Sequence, residues 1–137
     1  MRQHQLGQKV LNAATANGIG KVLTVAEYKH VMAMVTVTTV FTTGKLTFLG
    51  SINEIDNVPT FVGGFASASK TNQVAQLGMQ RVKDNTIVDG ATGLDLTIAG
   101  TYLVRLNVDG MTFCTAELSS ITGAGEVTVT MSGYAED

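Results

Sequence analysis

The chain has no tryptophan, one cysteine, one proline and two histidines in 137 residues, and each scarcity closes a class of explanation. A single thiol excludes an internal disulfide. Set among apolar and threonine neighbours, Cys114 reads as a buried, inert group in a chain that folds without oxidation. Neither His4 nor His30 has a second His, Cys or acid at ligand spacing, so no zinc site is expected. General-base chemistry at His30 would also need a nucleophile, and none can be named; the expectation is a solvated histidine at a strand end and a protein that is not an enzyme. The lack of tryptophan argues against exposed aromatic platforms of the kind that hold glycans.

Charge is sparse as well. Charged residues make up 15% of the chain, with nine Lys and Arg scattered among eleven acids and a net charge of −2. Phosphate binding needs a clustered basic face, so no nucleic-acid partner is expected. No apolar run approaches the ~18 residues that would span a bilayer, and no membrane partner is expected. Met-Arg-Gln-His-Gln-Leu at the start is not followed by an apolar segment, which predicts use of the chain from Met1 with no secretory signal.

What is present is apolar and alternating. Hydrophobic residues account for 45% and the mean hydropathy is +0.22, more than an isolated small domain readily hides, so self-association is expected. From Gly100 to Gly133, Tyr102, Val104, Leu106 and Val108 recur at every second position with Thr101, Arg105 and Asn107 between them. Asp109-Gly110 interrupts, Met111 to Leu118 runs on, Gly123-Ala-Gly125 breaks again, and Val127, Val129 and Met131 close. A period of two with glycine-marked reversals predicts antiparallel strands with one buried face.

The same reading extends backwards. It predicts strands over 21–26, over 30–39 with Val31, Val35 and Val37 on one face, and over 45–52 with Leu46, Phe48 and Ile52 sharing a face. Phe41 and Gly44 are read as a turn, Pro59 borders a short edge strand, and 73–83 is strand in this setting. Leu94, Leu96 and Ile98 alternate into Gly100. The outcome is an all-β fold: an antiparallel sandwich or jelly roll of about eight strands. Residues 1–20, polar and punctuated by Gly and Asn, are expected as an extended N-terminal arm, with one domain over 21–137.

Acidic loop residues Asp84, Asp89, Asp95 and Asp109 lack the ligand spacing of a calcium-binding hand loop and read as turn chemistry. Gly18-Ile-Gly-Lys21 and Gly63-Gly64 lack the remaining positions of a phosphate loop, so no cofactor is expected. Phe61 and Phe65, beside Gly63-Gly64, are the candidate exposed contact residues, with a protein neighbour preferred to a glycan.

Lys45-Leu-Thr-Phe-Leu-Gly-Ser-Ile-Asn53 resembles a segment that recurs in small β-sandwich virion proteins of tailed bacteriophages, a T-[VF]-x-G-S-x-[DN] strand before a short loop. Gly100-Thr-Tyr-Leu-Val-Arg-Leu-Asn-Val-Asp-Gly110, the strand through Phe113 and Gly125-Glu-Val-Thr-Val-Thr130 follow in the same order, so the resemblance covers about residues 21 to 133. Leu49 stands where an acidic residue is usual. The resemblance implies a capsid decoration or cement protein: made in the host cytoplasm, mounted on the virion surface, commonly trimeric, and bridging neighbouring major capsid protein subunits. On that reading the arm's apolar residues, Val10, Leu11 and Ile19, are contacts to a neighbouring subunit. A neck, tail or head-fibre component and a carbohydrate-binding host-attachment module are the alternatives.

Overall fold

The computed structural model describes residues 3–4, 8–25, 28, 30–51, 54–55, 58–59, 75–108 and 110–135, and among them every regular element is a strand. In chain order the first eight are β1 (Gln3–His4), β2 (Gln8–Ala14), β3 (Gly18–Ile19), β4 (Leu23–Thr24), β5 (His30–Thr39), β6 (Thr43–Ser51), β7 (Glu54–Ile55) and β8 (Val58–Pro59). Seven more follow: β9 (Ala75–Gln76), β10 (Met79–Arg81), β11 (Ile87–Val88), β12 (Leu94–Asp95), β13 (Gly100–Leu106), β14 (Phe113–Thr122) and β15 (Glu126–Ala135).

They form two antiparallel sheets packed as a sandwich, plus the small β7–β8 hairpin. The first sheet runs β15-β5-β13-β10-β11, with β1 and β2 sharing the far edge of β15. The second is centred on β6 and β14, with β12 and β9 along the outer edge of β6 and β3 and β4 along that of β14. The second sheet ends in two-residue strands and the first ends on one side in the two-residue β11, which limits the open hydrogen-bonding edge there.

The long strands of the first sheet follow from their period. Val31, Ala33, Val35 and Val37 of β5 are buried. In register with them lie Val127, Val129 and Met131 of β15 on one side and Val104 and Leu106 of β13 on the other. The second sheet answers with Leu46, Phe48, Leu94, Leu96, Cys114, Ala116 and Leu118, and the two rows of side chains merge into a single core. Burying a side chain of this size contributes about 1.5–3 kcal/mol each, so the two facing rows dominate the stability of the fold.

Residues 8–20 depart from the expected arm. Gln8–Ala14 is a strand of the first sheet, paired antiparallel with β15 of its own chain, and Val10 and Leu11 are only 4% and 8% exposed. Two adjacent residues both turn inward because the register shifts on either side of Val129, and this erases the alternation that would have marked a strand. The chain then crosses to the second sheet. Lys21 donates its N–H to the Val10 carbonyl, Gly20 donates to that of Ala116, and β3 and β4 pair with β14. Gly20 has to be glycine at this crossing, since a Cβ there would overlap the Val10 carbonyl oxygen.

Two further differences are local. Phe41 lies in the connection between β5 and β6, as expected, with its ring fully buried, but Gly44, expected in the same turn, is a residue of β6. Ile98, expected to follow Leu94 and Leu96 inward, is 61% exposed. Strand β12 ends after Asp95, whose carboxylate accepts the Thr97 N–H at 3.0 Å, and this turn carries Ile98 out of register.

Candidate interaction surface

The second sheet is buried on both faces over much of its length. Leu49 and Phe113, which point away from the main core, form a small cluster with the half-buried Ile19 and Val22. Thr47, Ser51 and Thr115 lie on the same outer side and are equally buried. Thr115 donates its hydroxyl to the Lys21 carbonyl at 2.8 Å, whereas the Thr47 hydroxyl has no partner. Glu117, directly opposite Thr47 in the ladder, is half-buried. Burial pushes its carboxyl above the usual value, and the Lys45 ammonium works against that rise.

A buried hydroxyl without a partner costs about 1–3 kcal/mol relative to an apolar group of the same shape. Thr47→Val is therefore expected to stabilise the chain by about 1 kcal/mol, raising the melting temperature by about 3 °C. Thermal denaturation checks this; a lower melting temperature would mean that the hydroxyl is satisfied.

Chemistry on the core side is equally muted. The Cys114 thiol is buried and pushed up to about 12 by desolvation alone. At pH 8 the folded chain should not react with an aromatic disulfide reagent, and one equivalent should appear on unfolding. Rapid labelling of the folded chain would place the thiol at the surface instead. Among the described residues no group of three His, Cys, Asp or Glu is placed to hold a metal ion. Asp84, Asp89 and Asp95 each accept the backbone N–H two residues on, at 3.0 Å, so each carboxylate shapes its own turn. The hydrogen bonds from Thr86 hold the Asp84 carboxyl below its usual value.

The outer face of the first sheet is different in kind. One row across it runs Ser132, Met32, Arg105, Gln80, Ile87, and the next runs Lys9, Thr130, Met34, Leu103. A third joins Thr128, Thr36 and Thr101, the last two with hydroxyls 3.4 Å apart. These rows contain no carboxylate. Met34 and Leu103, cross-strand neighbours, are 42% and 45% exposed, and Ile87 on the edge strand is 72% exposed. A groove of about 330 Å³ opens beside Arg105 between the ends of β10, β11 and β13. The face is thus broad and hydroxyl-rich, with Met34, Leu103 and Ile87 as its exposed apolar part and one central cation.

Of the five residues expected to make contacts, the structure places Val10 and Leu11 in the chain's own core and Ile19 partly buried against Leu49 and Phe113. Phe61 and Phe65 lie outside the described residues. Arg105 was visible in the sequence only as an off-face residue between Tyr102 and Leu106. Met32 and Met34 gave no signal, because apolar residues on the outer side of β5 blur the alternation.

No family model and no curated protein matches the chain. A solved structure does: the crystal structure of the SPBc2 prophage-derived protein YomS superposes with a TM-score of 0.63 at 16% identity, over 98% of this chain and 96% of that one. The likeness is one of fold.

Proposed function

We propose that the chain is a structural, non-enzymatic virion protein that decorates a bacteriophage capsid and stabilises it by bridging neighbouring major-capsid subunits. The observation that carries the reading is the near-complete overlap in fold with a prophage-derived protein, together with the phage-like segments at 45–53 and 100–130. A rigid sandwich with a charge-poor outer face suits a permanent place in an assembly, where fully buried interface cores are depleted in charge. The action is mechanical. Each copy contributes modest contacts, and symmetry repeats them so that a subunit held at one point meets its next contact at high effective concentration. A homo-oligomer, with a trimer as the favoured form, multiplies this further.

Co-sedimentation of the purified chain with undecorated shells tests the reading. Saturable binding at a fixed ratio to the major capsid protein is expected. Recovery of the chain in the supernatant at all concentrations would contradict it, and binding to tails or necks alone would move the protein to another part of the particle.

A further inference from the structure

We infer that the outer face of the first sheet is the docking surface, and that its occupant is a shell-subunit surface presenting a carboxylate flanked by apolar side chains to Arg105. This rests on the capsid-decorating reading and names the face that would serve it.

Arg105 is exposed at the centre of the face, and its nearest neighbours on that side are Met32, Gln80, Leu103 and Asn107, none of them acidic. A guanidinium carries a planar fork of donors that matches a carboxylate in a bidentate pair, and here no described residue supplies one. Around it the exposed Met34, Leu103 and Ile87 offer apolar contact, and the groove of about 330 Å³ gives an incoming side chain a recess lined by Met79, Gln80, Leu106 and Asn107. The five strands of the central row span about 19 Å at the usual strand spacing, wide enough to act as the core of an interface. Interface cores are enriched in methionine and arginine and poor in Glu and Asp, features that the Met32, Met34 and Arg105 part of this face shares.

Charge chooses among occupants. A second copy meeting the same face would bring Arg105 and Lys9 towards positive charge, and the described carboxylate on that side, Glu126, stands at the far end of β15 opposite Thr39 and away from the Met32–Arg105 row. Other described carboxylates of a second copy are poor candidates too, because Asp84, Asp89 and Asp95 are each engaged in their own turns and Glu117 is half-buried on the second sheet. Nucleic acid would need a track of cations, where this face offers one central cation and one at the edge. An acidic, apolar-flanked surface of a different protein satisfies both features.

The test compares binding to undecorated shells by the full chain, by Arg105→Glu and by Lys21→Glu, which makes the same charge change at an exposed position beside the second sheet. Arg105→Glu is expected to weaken binding by about thirtyfold or more, the loss typical of a central interface residue, while Lys21→Glu stays within about threefold. Arg105 is exposed, so circular dichroism should report an unchanged fold; Arg105→Gln, expected to lose about tenfold, serves if the glutamate variant fails to fold. Binding by the full chain with Arg105→Glu within threefold of it would overturn the inference and leave the capsid reading intact. Equal losses in both variants would overturn it as a non-specific charge effect. A change in oligomeric state with Arg105→Glu, and no change in shell binding, would assign the face to self-association instead. No binding by the full chain would remove the capsid reading and this inference together.

Discussion

Val10→Asp is expected to cost the isolated chain at least about 3 kcal/mol, a large share of the 5–15 kcal/mol typical of a folded domain. Val10 is 4% exposed in the main core, on a strand hydrogen-bonded to β15 of the same molecule. An aspartate there would bury a charge with no partner, the most expensive kind of substitution. Its backbone matters as well, because the Val10 carbonyl accepts the Lys21 N–H where the chain crosses between sheets. Denaturant titration of the dilute, purified chain measures the effect. Were residues 8–14 an arm ordered only against a neighbour, the same substitution would leave the midpoint unchanged and weaken assembly alone.

The second large effect lies at the end of the sandwich where the chain turns into β15. A Cβ built on Gly125 falls inside van der Waals contact of the Phe41 ring, and that ring is itself fully buried. Neither group has room to yield: the Phe41 N–H is held by the Leu96 carbonyl and the Thr42 N–H by that of Thr122. Gly125→Ala is therefore expected to destabilise by about 1–3 kcal/mol through overpacking. Phe41→Ala should cost about 3–5 kcal/mol through the cavity it leaves. Together the two should cost less than their sum by about 1 kcal/mol or more, because the new methyl group enters the space the ring vacated. Equilibrium unfolding of the four members of this cycle checks it, and strict additivity would mean that ring and glycine do not meet.

The strands that were legible in the sequence are those with one buried face. Along β5, β13 and β15 burial falls on every second residue, so the chemistry of the two faces is written directly into the order of side chains. Strand β6 was legible too in its place and in the core pair Leu46 and Phe48, but not in its second buried face, because Leu46 to Ser51 are all buried and its outer residues give no polar signal. Among the two-residue strands, β4 and β12 were marked by the alternating Leu23 and Val25 and by Leu94 and Leu96, whereas Gly18–Ile19 carries no period. Their place is decided by a partner's free ladder, as when Gly18–Ile19 and Leu23–Thr24 take up the outer edge of β14.

The candidate surface was less legible for a related reason. Met32, Met34, Leu103 and Arg105 come from two strands about 70 residues apart in the chain, and only the β5–β13 register sets them side by side. Sequence alone shows which residues leave the core face of each strand. It does not show which strands adjoin. The glycine and aromatic run at 61–65 drew attention instead, and those residues lie outside the described ones.

Heating undecorated phage shells with and without a saturating amount of the purified chain is the most direct measurement of a capsid-stabilising role. The disruption temperature is predicted to rise by several degrees and to level off at a fixed ratio of chain to major capsid protein. An unchanged disruption temperature on shells saturated with the chain would contradict that role.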